Sequence, residues 1–545
     1  MACSTRQPRT SSRSSASGAS SPSRRPTTGS TRSAPSPPGS SSRAPRPSSI
    51  GCGPPADVPP TWPGGGRSPA GSGVRARTGT VPNADSGPRA AVQLLVQPLR
   101  TRRPVSAAWP GPSGRVATLP TDAEGLLRSR GYLALLLLAA ALGAPISAIA
   151  HGFLAGVTYL EHWFYDDLPR LLGFSWDPLW WPVPLLFVAG ILAAVTVRHL
   201  PGRGGHSPAD GFQLHGAPLP VELPGIVVAA GATLVLGVVL GPEAPLIAIG
   251  GGLAVLAVRL VRRDAPQPLL SVVGAAGSFA AVSTLLGSPL LGAFLLMEVT
   301  GVSGATLGLV LVPGLLASGI GALIFTCLGT WTGLGTFSLA LPGLPHFDRP
   351  DAAEFGWAIA IGVAAALLGW AIRWLALALR PHVERRILLL TPAFGLVVGG
   401  LAVLYAATTG HRSSDVLFSG QAAMPLLLQD ASAYSLGALA LLLACKGLGY
   451  GVSLSSFRGE PIFPGMFMGA AGGIALSFLP GLPLVAGVAM GIGAMSATML
   501  RLPLTSVLLA TLLLFSNGLT VMPLVIVAVV VAYVVSTRLT PAPTS

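Results

Sequence analysis

From about residue 130 onward the chain is a succession of apolar runs with little polar sequence between them. They lie near 131–160, 179–199, 222–240, 243–262, 268–286, 288–299, 305–328, 355–379, 386–408, 432–450, 464–478, 483–499, 502–516 and 519–537. A helix needs ~20 apolar residues to cross a bilayer. Several runs are shorter than that, and Gly or Pro interrupts many of them. Backbone that is not helical survives at membrane depth only inside protein or beside a wet cavity, because lipid offers no hydrogen-bond partner. The expected fold class is therefore an all-α polytopic membrane protein built with broken helices, not a bundle of straight spans. Composition agrees. Hydrophobic residues make up 51% and charged residues 10%, as required where each buried charge costs ~2.5 kcal/mol or more.

The net charge of +14 belongs almost wholly to the first 125 residues, which carry 16 Arg against 4 acids. That segment is rich in Ser, Pro, Gly and Arg, cannot bury an apolar core, and is expected to be disordered. It is read either as a basic arm touching anionic lipid or as a product of a mis-assigned start. No Met lies between Met1 and Met297, so an internal start would need a non-ATG codon. It has no apolar stretch near Met1 of the kind a signal peptide needs. The domain reading is thus a tail over 1–125 and a membrane domain over 126–545. No folded region carries a basic stripe with interleaved aromatics, so nucleic acid is not an expected partner. Cys3, Cys52, Cys327 and Cys445 share no metal or redox spacing, so no metal and no cofactor is expected. Trp163, Trp176, Trp180 and Trp181 read as an interface belt, and Arg128 and Arg130 favour a cytoplasmic N-terminus in the cell membrane.

An internal repeat narrows the architecture. Gly241-Pro242-Glu243-Ala244-Pro245 is followed after four residues by Gly250-Gly251-Gly252. Gly459-Glu460-Pro461-Ile462-Phe463-Pro464 is followed after four by Gly469. Each copy leads, about 40 residues on, to a Gly/Ala-rich run ending in Pro-Leu, at Pro289-Leu290 and Pro503-Leu504. Paired interrupted helices of this kind mark inverted repeats and the binding site between them. The halves are expected over about 130–300 and 305–537. Helices beginning at Glu243 and at Pro464 are expected to converge near mid-membrane.

The chemistry of these helix starts favours an anion. A half-helix starting at membrane depth points free N–H groups and its positive dipole end into the protein. Proline fits its first turn, where the missing N–H would be unpaired anyway. Glu243 sits at one such mouth, where its carboxylate can take the anion's place and protonation would release it. Ile462 and Phe463 can aim N–H groups at the same point from the opposite side. Glu460 would repel an anion unless it is neutral or faces water. Upstream, Gly204-Gly205-His206-Ser207-Pro208 offers a Gly turn that lets backbone approach an ion and a Ser hydroxyl that can donate to one.

Together these motifs resemble the three ion-site signatures of the chloride channel and chloride/proton exchanger (CLC) family, G-S-G-I-P, G-K/R-E-G-P and G-x-F-x-P. GGHSP, GPEAP and GEPIFP occur in that order, and the resemblance covers about residues 130–537. It implies a CLC-like fold, voltage-gated chloride channel activity, chloride or a similar small anion as the transported ion, and a homodimer with one pore per subunit in the lipid bilayer. It makes Glu243 the gating residue and Gly205, Ser207, Gly241, Ala244, Ile462 and Phe463 the anion-binding set. Pro242 replaces the usual Lys or Arg, and Ala244 the usual Gly. Gly205 falls at the coordinating Ser position, which Ser207 reaches only with a shifted turn. Ile462 or Phe463 matches the motif Phe, depending on a one-residue gap. The family's proton-carrying glutamate aligns with Val299, beside Glu298. Its central Tyr and its cytoplasmic regulatory domains are expected to be absent. With Val299 unable to carry a proton and His206 lying in the anion path, passive conduction is expected. The alternatives are a proton-coupled chloride antiporter and a secondary transporter of another anion, which would want Arg or Lys in its cavity. An intramembrane serine protease would use Gly301-Val302-Ser303-Gly304, but His346 and His382 sit in polar connections, so no enzyme activity is expected.

Overall fold

The computed structural model describes residues 125, 127–174, 178–212, 216–283, 285–286, 288–301, 305–337, 341 and 344–540. Residues 1–124 of the expected tail, Trp176 and Val302-Ser303-Gly304 lie outside the described residues. Among these residues the chain forms fourteen helices of eleven residues or more. The first half contains α1 (Arg130–His162), α2 (Pro182–His199), α3 (Leu223–Val235), α4 (Glu243–Val261), α5 (Gln267–Ala281), α6 (Pro289–Thr300) and α7 (Ala305–Thr332). The second contains α8 (Ala352–Arg385), α9 (Ile387–Thr409), α10 (Leu436–Ser456), α11 (Ile462–Ser477), α12 (Leu484–Leu500), α13 (Pro503–Leu513) and α14 (Gly518–Leu539). Eight helices are long and apolar enough to cross a membrane, and the short ones include α3, α5, α6, α11, α12 and α13.

Packing follows the repeat pair by pair. In the first half α4 lies on α5, and α7 packs against both α1 and α5. In the second α11 lies on α12, and α14 packs against both α8 and α12. Equivalent helices also meet across the halves, α2 against α9 and α6 against α13. By packing, Ala305–Thr332 is the counterpart of Gly518–Leu539. The architecture is an inverted repeat with broken helices.

The conserved spacing within each copy has a packing cause. A Cβ on Gly250 would strike the Gly277 carbonyl, and one on Gly469 the Gly491 carbonyl. The glycine five residues after each motif proline is therefore the point where α4 crosses α5 and α11 crosses α12 backbone to backbone. Such close approach is how membrane helices associate when both sides are equally apolar.

Local signals set the helix ends. The Ser288 hydroxyl accepts from Leu290 N at the start of α6. Asp351 and Glu354 form a reciprocal capping box at α8. α11 begins at Ile462, two residues before Pro464, so that Pro245 and Pro464 occupy the same first-turn position. The tryptophan belt is only partly as expected. Trp180 is exposed, but Trp181 is buried and its indole N–H donates to the Phe164 carbonyl at 2.9 Å.

Candidate functional site

The two motif copies meet without a gap. Gly241 and Glu460, each two residues before a helix start, form an isolated antiparallel bridge. Gly241 N donates to the Glu460 carbonyl at 2.8 Å, and Glu460 N to the Gly241 carbonyl at 3.0 Å. The next residues, Pro242 and Pro461, cap α4 and α11 with nearly identical backbone angles, φ −84° with ψ 0° and φ −84° with ψ −1°. Glu243 is thereby equivalent to Ile462, and Ala244 to Phe463.

Prolines on both sides simplify each helix mouth. Pro242 and Pro245 flank Glu243 and Ala244; Pro461 and Pro464 flank Ile462 and Phe463. Proline has no N–H, so two first-turn donors remain per helix. Among them, Phe463 N donates to Glu243 Oε1 at 3.1 Å. Glu243 is buried, and its Oε2 has no hydrogen-bond partner. The carboxylate folds back over Gly241, filling the space a Cβ would take. Gly241 thus keeps the site open for the carboxylate, and its own N–H is engaged in the bridge. Ala244 is half-buried, whereas Ile462 and Phe463 are fully buried.

The GGHSP loop reaches this junction through side chains. His206 Nε2 lies 2.9 Å from Glu460 Oε1, an ion-pair contact. Arg458 Nε donates to the Arg203 carbonyl at 3.3 Å. Gly205 has φ +95°, where a Cβ would be strained. Ser207 precedes a short 3₁₀ turn, Pro208–Asp210, and its side chain makes no capping bond. Glu460 therefore neither faces water nor stands alone, since the buried carboxylate is matched by His206.

Three features escaped the sequence reading. The Tyr450 hydroxyl, buried on α10, donates to the Pro461 carbonyl at 2.6 Å and fixes the mouth of α11. Lys446, one turn earlier, donates from Nζ to the carbonyls of Asp415, Val416 and Leu417 at 2.9–3.1 Å, and lies 4.4 Å from the Phe467 ring centroid. Glu298 caps α13: Leu504 N and Thr505 N donate to its two oxygens at 2.9 and 2.7 Å. Lysines are common at helix surfaces and glutamates at helix ends, so only the folded neighbours distinguish these two.

The profile of voltage gated chloride channels matches residues 189–537. The chain belongs to the voltage-gated chloride channel (CLC) family. It is similar to the putative ion-transport protein YfeO of Escherichia coli O1:K1, with 30% identity over 351 residues, 63% of this chain and 79% of the relative. YfeO of Escherichia fergusonii matches equally, at 30% over 352 residues. Among solved structures, a slow cyanobacterial Cl⁻/H⁺ antiporter superposes with a TM-score of 0.61 at 19% identity, covering 74% of this chain and 94% of that one. A CLC-type fluoride/proton antiporter superposes with a TM-score of 0.55, also at 19% identity, covering 74% and 96%. As a CLC protein the chain is a multi-pass membrane protein for anion transport, resident in the cell membrane.

Proposed function

We propose that the protein moves small inorganic anions, chloride foremost, along a path through the α4–α11 junction that Glu243 opens and closes. The observation that carries this reading is the Glu243 carboxylate accepting from Phe463 N at 3.1 Å. An anion seeks the positive ends and unpaired N–H groups of two facing helices. An ionised side chain that already holds one of those donors competes with it directly. Protonation removes that charge, weakens the hydrogen bond and yields the place to the anion. Ile462, Phe463 and Ala244 supply donors in this scheme, and Gly205 and Ser207 form the approach from the loop. The protein acts as a homodimer with one such path per subunit and performs no enzymatic step.

The test is efflux from vesicles loaded with potassium chloride and started with a potassium ionophore. Chloride efflux well above that of protein-free vesicles is expected, with little efflux when an organic anion such as glutamate replaces chloride. Efflux of the organic anion at a comparable rate would favour the secondary-transporter reading instead. Passive conduction requires that no second protonatable group reach Glu243. Val299 has no proton to give and Glu298 is held by α13. A second group approaches from the GGHSP loop.

A further inference from the structure

His206 and Glu460 are neighbours only in the fold, and their placement follows from the bridge. In an antiparallel pair that exchanges both hydrogen bonds, the opposed residues stand ~5.5 Å apart at Cα with side chains on one face. Gly241 and Glu460 are such a pair. The Glu243 carboxyl occupies the position of the missing Gly241 Cβ. It therefore lies on the same face as the Glu460 side chain. On the far side Glu460 Oε1 meets His206 Nε2 at 2.9 Å. Glu460 is 1% exposed at its side chain and His206 is 24% exposed. Three protonatable groups thus run from a partly exposed side chain to the buried carboxylate at the helix mouths.

Nothing in the packing explains this pair by itself. A buried ion pair is often no more stable than the apolar pair it replaces. Glu460 Oε2 and Glu243 Oε2, moreover, have no hydrogen-bond partner, so a proton on either would displace no existing bond. The other charges near His206 are Arg458 and Asp210, and Asp210 is paired with Arg380. Burial alone would favour neutral imidazole, but the Glu460 carboxylate outweighs it and lets His206 keep its proton to higher pH than a free histidine.

We propose that His206 and Glu460 form a proton relay between the aqueous side of the GGHSP loop and Glu243, which couples proton movement to anion movement. The proposal rests on Glu243 as the gate. His206 Nε2–H passes its proton to Glu460 Oε1, leaving neutral imidazole. The carboxyl group of Glu460 turns and passes a proton to Glu243 Oε2, and becomes carboxylate again. His206 then regains a proton from water. Each cycle moves one proton inward along the chain and leaves Glu460 and His206 as they began.

The experiment records chloride efflux and pH together in vesicles of phosphatidylethanolamine and phosphatidylglycerol bearing a chloride gradient. In the wild type the chloride gradient should drive protons uphill, and a protonophore should abolish the pH change. In the double variant His206→Gly with Glu460→Gly the proton-to-chloride ratio should fall at least tenfold. His206→Gln alone should lower the same ratio. Chloride efflux from the wild type with no uphill proton movement would overturn the relay and leave the gate intact. An unchanged ratio in His206→Gln would also overturn it. Absence of chloride efflux in the wild type would instead overturn the gate.

Discussion

A single absent Cβ decides whether the Glu243 carboxylate can lie across the junction. Gly241→Ala places a methyl group in the space that carboxylate fills. The side chain must then leave Phe463 N, and a hydrogen bond to a charged group is worth ~1.5–3 kcal/mol. Chloride efflux near neutral pH is expected to rise about tenfold or more over the wild type, at 1.4 kcal/mol per tenfold. An efflux rate that does not change would show that the carboxylate was not holding the path shut. Lys446 makes the opposite kind of contribution, to structure and not to the path. Its ammonium serves the carbonyls of residues 415–417, and Phe418 N in turn donates to the Gly237 carbonyl just ahead of the first motif. Lys446→Met leaves those carbonyls without a donor, at ~1–3 kcal/mol for each buried group unpaired. A clear drop in thermal unfolding temperature in detergent is expected, with the surviving folded fraction still conducting. At this scale the sequence exposed Glu243 and the helix-start residues, because proline and glycine mark a helix start locally. It did not expose the His206–Glu460 contact or the Tyr450 hydroxyl on Pro461. Those depend on residues brought together from distant segments or on the turn of a helix against its neighbour, and neither leaves a local pattern.

Helices were the most legible level. Fourteen apolar runs became fourteen helices, since a segment in lipid has few options other than helix. The departures have definite causes. α11 starts at Ile462 because Pro461, with no N–H to lose, makes a better cap than the chain two residues later. α7 packs on α1 and α5 as α14 does on α8 and α12, a relation that hydropathy does not carry. The crossing glycines give a test at this scale. Gly469→Leu drives a branched side chain into the Gly491 backbone, and overpacking of this kind costs ~1–3 kcal/mol or more. Loss of the folded species on size-exclusion chromatography, or a lowered unfolding temperature, is expected. A Cβ at Gly472 on the same helix meets nothing within 4 Å, so Gly472→Leu should be tolerated. Equal tolerance at both positions would contradict the backbone-to-backbone crossing of α11 and α12.

Taken as one object, the molecule is two copies of a seven-helix unit whose equivalent helix starts are tied by the Gly241–Glu460 bridge. The symmetry is broken where chemistry requires it, with a glutamate at residue 243 facing an isoleucine at 462. One copy brings the Glu243 carboxylate and the other the Phe463 N–H that donates to it. The central claim, that Glu243 competes with the anion and yields when protonated, is tested most directly by the pH profile of chloride efflux in the wild type and in Glu243→Gln. Wild-type efflux is expected to rise as pH falls. Glutamine carries no charge at any pH, so the variant should conduct at or above the highest wild-type rate with a nearly flat profile. A Glu243→Gln variant that keeps the wild-type dependence on pH would contradict the claim.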